Sequence, residues 1–129
     1  MTLDSSALVA VLFAESGYLD LLDRMLDADH VRVGTPTLVE TSLVLAGRRR
    51  AKASGEVEGL VNELAITVVP FGEAEWRIAT DAFLRYGRGR HAAALNFGDC
   101  LAYASAASAG DTLLFVGDDF RKTDIEPAS

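Results

Sequence analysis

The stretch Val31-Arg32-Val33-Gly34-Thr35-Pro36-Thr37-Leu38-Val39-Glu40 sets the fold, because the chain changes period within it. Val31–Val33 reads as a short strand. Thr35-Pro36 reads as a helix start: the hydroxyl caps, and Pro takes the first helical position, where its missing N–H costs nothing. The spacing predicts a helix from Pro36 to about Ala51. A strand that runs almost directly into a helix is the building unit of parallel α/β sheets.

The same unit recurs on both sides. Upstream, residues 1–4 are short and end at Asp4, and they suit a buried first strand. Ser5 or Ser6 is placed to cap a helix over Ala7–Phe13, and Gly17 separates it from an amphipathic stretch, Tyr18–Leu26. Downstream, Ser54-Gly55 precedes a helix over Glu56–Leu64. Ile66–Val69 is apolar and β-branched, and Pro70 closes it as a strand. Glu73–Tyr86 reads as a long helix with Trp76, Ile78, Ala79, Ala82 and Phe83 on its apolar face. Trp76, Phe83 and Tyr86 are expected in the core. Gly87 and Gly89 mark a loop. Gly98–Ala109 is an Ala-rich helix, Leu113–Val116 a fourth strand, and Ile125 a short fifth. The order β-α-α-β-α-α-β-α-α-β predicts a three-layer α/β/α domain with a mostly parallel sheet of four to five strands.

With 129 residues, the chain suits a single domain over 1–129, large enough to fold without disulfide or structural metal. Its one cysteine, Cys100, excludes a disulfide framework and a Cys-rich zinc site, and reads as a core thiol. No apolar run approaches a membrane span and no basic segment precedes the first apolar stretch, so a soluble cytoplasmic protein is expected. The net charge of −7 argues at first against nucleic acid. It is unevenly spread, however. Basic residues cluster at Arg48, Arg49, Arg50 and Lys52, and again at Arg85, Arg88, Arg90 and His91. An anionic ligand would be met there.

Sites in open α/β sheets form at the carboxyl ends of the strands, where helix N-termini also point. Asp4, Asp118 and Asp119 follow predicted strands, Asp99 lies in the first turn of a predicted helix, and Glu40 lies one turn into the helix that starts at Pro36. Five acids spread along the sequence therefore converge on one rim. Glu40 and Asp99 are each the only charge in an apolar neighbourhood, and ionising such a group costs free energy unless it is paired or bound to metal. Two carboxylates 4 Å apart repel by about 4 kcal/mol at an effective dielectric near 20. A divalent cation relieves that repulsion. Oxygen ligands without His or Cys suit Mg²⁺ or Mn²⁺, and such sites hydrolyse phosphodiesters.

At these residues the chain resembles the PIN-domain ribonucleases, most closely the VapC toxins of VapBC toxin–antitoxin pairs. Leu3-Asp4-Ser5-Ser6-Ala7 resembles the family's D-T/S-S-A opening, and Pro36-Thr37-Leu38-Val39-Glu40 its P-x-x-x-E helix. Tyr86-Gly87-Arg88-Gly89 with Ala94-Leu95-Asn96-Phe97-Gly98-Asp99 resembles Y-G-x-G…L-N-x-G-D. Phe115-Val116-Gly117-Asp118-Asp119-Phe120, then Thr123-Asp124-Ile125, resembles F-x-G-N/D-D-F…T-D-I. The resemblance implies a PIN-like fold and cleavage of RNA, such as tRNA or rRNA, with one or two Mg²⁺ or Mn²⁺ ions. It implies that Asp4, Glu40, Asp99 and Asp119 form an acidic quartet, with Asp4 and Asp99 as the main ligands, Asp118 as an alternative fourth acid, and Ser6 in support. It further implies a homodimer and a VapB antitoxin covering the site. Arg48, Arg49, Arg50, Lys52, Arg88, Arg90, Arg121 and Lys122 are the candidate RNA contacts. A rival reading is a non-catalytic module whose acidic rim binds a basic peptide. A hydrolase using Asp4 as nucleophile would carry D-x-D, and Ser6 stands against it.

Overall fold

The computed structural model describes residues 1–49 and 53–128. Four parallel strands form the sheet: β1 (Thr2–Leu3), β2 (Arg32–Gly34), β3 (Thr67–Val69) and β4 (Leu113–Leu114), in the order β3-β2-β1-β4. Six α-helices accompany them: α1 (Ser5–Leu12), α2 (Tyr18–Asp27), α3 (Thr35–Arg49), α4 (Ala53–Glu63), α5 (Glu73–Tyr86) and α6 (Phe97–Ser108). A short 3₁₀ helix, η1, covers Asp119–Lys122. The expected fifth strand is reduced to a single bridge between Leu113 and Pro127. The chain moves outward from β1 to β3, then returns to the far side of β1 as β4. The reversal leaves a switch point between β1 and β4, where a ligand crevice forms in such sheets.

The strands are so short that packing, not strand length, defines them. Consecutive residues of a strand point to opposite faces, and β4 uses this directly. Leu113 joins a core with α5 and α6, whereas Leu114 joins a core with α1, α2, Leu3 and Val33. The two cores are the two filled spaces of the three-layer sandwich.

Helix α6 is the central piece. Gly98, Cys100 and every residue from Ala102 to Ala106 are buried, and the helix packs on α5, α3 and the strands. Small side chains permit that approach: a Cβ at Gly34 of β2 would run into the Ser105 hydroxyl. Two helix starts differ from the sequence reading. Thr35 lies inside α3. The cap of α1 is Asp4, not Ser5 or Ser6, because its carboxylate accepts the Ser6 N–H.

Candidate active site

Asp4 ends β1 and starts α1. Its Oδ2 accepts hydrogen bonds from the Ser6 amide at 3.1 Å and from the Ser6 hydroxyl. The same hydroxyl oxygen accepts the Val116 N–H at 3.0 Å. Ser6 thus links the segment after β4 to the end of β1 across the switch point. Asp4 is only 3% exposed, and its Oδ1 has no hydrogen-bond partner. Burial pushes its pKa up to about 6; the two Ser6 bonds pull it down, and the charges of Asp99 and Glu40 push it up again. A buried acceptor without a donor is destabilising, so this carboxylate is built for something other than fold stability.

Glu40 projects from the second turn of α3. Its carboxylate lies against Gly98, where any Cβ would overlap it. Asp99 is the third residue of α6 and forms a capping box: its amide donates to Asn96 Oδ1 at 2.8 Å, and its Oδ2 accepts the Asn96 N–H at 3.0 Å. The box fixes one oxygen of Asp99 and so orients the carboxyl group. Burial raises the pKa of Asp99; the Asn96 bond opposes this, the charges of Asp119 and Glu40 add to it, and Arg88 opposes it.

Asp119 opens η1, reached through Gly117, whose φ of +100° suits glycine. Its neighbour Asp118 extends into solvent, 86% exposed, with its carboxylate 4.0 Å from Arg121 Nε. Of the two, Asp119 is the one whose charge acts on Asp99. The structure therefore brings Asp4, Glu40 and Asp99 within electrostatic range of one another on the predicted rim, with Asp119 within range of Asp99. Among the described residues, no three His, Cys, Asp or Glu side chains stand as a ready-made coordination set. Even so, the donor chemistry fits a hard divalent cation: the acids offer only oxygen, and Asp4 Oδ1 is buried without a donor.

The basic residues divide. Arg88 follows the last turn of α5, its amide donates to Leu95 O at 3.0 Å, and its charge reaches Asp99. Arg121 and Lys122 are exposed on η1 beside Asp119. Arg90 lies over the Phe83 ring, 5.7 Å from its centroid. Arg48 is turned to Glu15, 3.6 Å away, and to the Phe13 ring. Arg50 and Lys52, and the side chain of Arg49, lie outside the described residues.

Trp76 and Phe83 depart from the core reading. Trp76 is 56% exposed and Phe83 40%. With Phe97 and Leu101 they line an apolar groove between α5 and α6, and Phe97 also borders a second groove against Val39 and Leu43 of α3. Helical spacing shows which residues share a face, not whether another element covers that face. Tyr86 does pack inward, against His91 and Tyr103. Cys100 is buried as expected, and burial raises its thiol to about 11. Asn96 and Gly98 escaped the sequence reading as functional residues, although N-x-x-D is a legible capping box.

The PIN domain family profile matches residues 1–126. Ribonuclease VapC36 of Mycobacterium tuberculosis is 44% identical over 128 residues, covering 98% of this chain and 91% of that protein. Among solved structures, the fold is similar to VapC20 of Mycobacterium tuberculosis, a sarcin-ricin loop cleaving toxin. That match has a TM-score of 0.76 at 16% identity and covers 96% of this chain and 95% of the other. It is also similar to a chain of VapBC2 from Rickettsia felis bound to a promoter DNA fragment. Here the TM-score is 0.75 at 10% identity, over 98% and 95% of the two chains.

Proposed function

The chain belongs to the PIN-domain family, among the VapC ribonucleases, and from that premise we propose that it is the toxin of a VapBC pair and cleaves RNA with Mg²⁺ or Mn²⁺. The observation that carries the metal dependence is Asp4: a buried carboxylate, one oxygen without a donor, facing the charges of Glu40 and Asp99.

Asp4 and Asp99 would hold the cation, with Glu40 and Asp119 completing the set. When bound, the ion supplies an activated water and offsets charge growing on the phosphate. Ser6 keeps Asp4 Oδ2 hydrogen-bonded, and the unpartnered Oδ1 would be available to the cation. The Asn96 capping box does the same for one oxygen of Asp99. Glu40, whose carboxylate lies against Gly98, would bind the cation or help activate the attacking water. Arg88, Arg121 and Lys122 flank the acids and would hold the phosphates on either side of the cleaved bond. The exposed apolar grooves beside α5 and α6 give a VapB antitoxin and a second toxin copy surface to cover.

Cleavage of a mixed RNA substrate by the purified protein tests the proposal. Cutting should require millimolar Mg²⁺ or Mn²⁺ and stop with EDTA. A protein that retains a basic peptide but cuts no RNA with either ion would overturn it in favour of a binding module.

A further inference from the structure

The Thr123-Asp124-Ile125 segment takes no part in the acidic rim, yet it makes a connection that the rim needs. Asp124 Oδ1 accepts the Tyr103 phenol hydrogen at 2.6 Å. Asp124 Oδ2 lies 3.4 Å from Arg85 Nη2, and that nitrogen also donates to Tyr86 Oη at 2.9 Å. Tyr103 stands on α6 one turn beyond Asp99, and its side chain is buried. Arg85 lies in the last turn of α5. One carboxylate therefore fastens the C-terminal segment to both helices of that layer.

Only four residues separate Asp124 from Asp119, and the segment is tied internally. The Thr123 hydroxyl donates to Phe120 O at 2.7 Å and accepts the Ile125 N–H at 3.2 Å, and Phe120 and Ile125 are both buried. Of the other three rim acids, Asp4 caps α1 directly after β1, and Glu40 and Asp99 sit on the long helices α3 and α6. Asp119 sits on a four-residue 3₁₀ helix, which has little stability of its own. It also faces the repulsion of Asp99. Like charges push apart unless the backbone carrying them is held, and Asp124 is the side chain just beyond η1 that ties the segment by polar contacts to α5 and α6.

We propose that Asp124 is a positioning residue: joined to Tyr103 and Arg85, it holds the η1 segment against α6 so that Asp119 stays beside Asp99. The inference rests on the metal-dependent ribonuclease reading for its catalytic consequence, but not for its structural content.

The test compares wild type with Asp124→Asn and Tyr103→Phe, in cleavage of a synthetic RNA and in Mn²⁺ titration by calorimetry without RNA. Asp124→Asn should lower kcat and Mn²⁺ affinity by about tenfold, as loss of an outer partner does at metal sites, while KM for RNA stays within about twofold. In an Asp119→Asn background, Asp124→Asn should leave Mn²⁺ affinity unchanged, because its effect runs only through Asp119. If Asp124→Asn fails to melt cooperatively, Tyr103→Phe decides, since it removes one hydroxyl and keeps the ring. Wild-type kcat and Mn²⁺ affinity in the variants, whatever their melting temperatures, would overturn the proposal. So would a further loss of Mn²⁺ affinity in the double variant. Wild-type protein that cuts no RNA but shows the expected Mn²⁺ cycle would sink the ribonuclease reading and leave the positioning role standing.

Discussion

The two rims of one sheet treat a carboxylate in opposite ways. At the amino ends of the strands, Asp111 is enclosed by donors. Its Oδ2 accepts from Thr2 Oγ1 at 3.0 Å and from Arg32 at 3.1 Å, and its Oδ1 accepts from the Thr112 amide at 2.9 Å and pairs with the Met1 ammonium at 2.8 Å. Burial pushes its pKa up, but the hydrogen bonds outweigh burial and the net shift is downward. At the carboxyl ends, Asp4 is more deeply buried, has one oxygen without a donor, and shifts up to about 6. The first acid stabilises the fold. The second is held in place by the fold at some cost in stability. A carboxylate on a parallel sheet therefore cannot be read as structural or functional from burial alone; the donors around it decide.

Removing acids should separate the rims most sharply. Asp4→Asn or Asp99→Asn is expected to cut RNA cleavage by on the order of a thousandfold, as loss of a central catalytic group does, with a cooperative melt preserved. Wild-type cleavage by either variant would break the site assignment. Gly98→Ala comes next: its Cβ forces Glu40 off its seat, and a displacement of about 1 Å can cost about a hundredfold. Steady-state rates would show it. A variant as active as wild type would mean that Glu40 tolerates another position.

Asp111→Asn should act on stability instead. Hydrogen bonds to a charged group contribute about 1.5–3 kcal/mol each in favourable cases, so a fall of several degrees in melting temperature is expected, with RNA cleavage unchanged at assay temperature. Lost cleavage with an unchanged melt would erase the contrast between the rims. The smallest effect concerns pH. Below about 4, Asp4 is protonated in both folded and unfolded chains. Between about 4 and 6 the folded state keeps a proton that the unfolded state has released. Stability must then fall as pH rises through this window. Without metal, wild type should melt lower at pH 7.5 than this group would allow at pH 5. Asp4→Asn should flatten that part of the slope, and Mn²⁺ should raise the wild-type melt more at pH 7.5. Identical slopes in the two proteins would show that Asp4 titrates normally.

Much of this was legible because it is local. Thr35-Pro36 marks α3 and Leu113-Leu114 fits a buried strand. Asp4, Glu40 and Asp99 stand out because each carries a charge at the end of an apolar element. What could not be read depends on neighbours remote in sequence. Trp76 and Phe83 share a face with Ala79 and Ala82, yet of these four only the alanines are buried, because α6 covers part of that face and, among the described residues, no apolar element covers the rest. The pairing of Arg48 with Glu15 crosses 33 positions, and the partnership of Asp124 with Tyr103 crosses 21; neither leaves a spacing signal. The ends of the short strands were overestimated for the same reason: apolar runs such as Leu113–Val116 continue past the last paired residue.

Helix α6 also bears on how this molecule can change over evolutionary time. It carries Asp99 at one end, and Asp111 follows its other end three residues after Ser108. Each residue of an α-helix advances 1.5 Å and turns 100°. One inserted or deleted residue within α6 would therefore swing Asp99 away from its partners or pull Asp111 from Arg32, and no loop adjustment would restore both. Lineages of this protein should gain and lose residues in surface connections while the length from Asn96 to Asp111 stays invariant, acting as the molecule's fixed gauge.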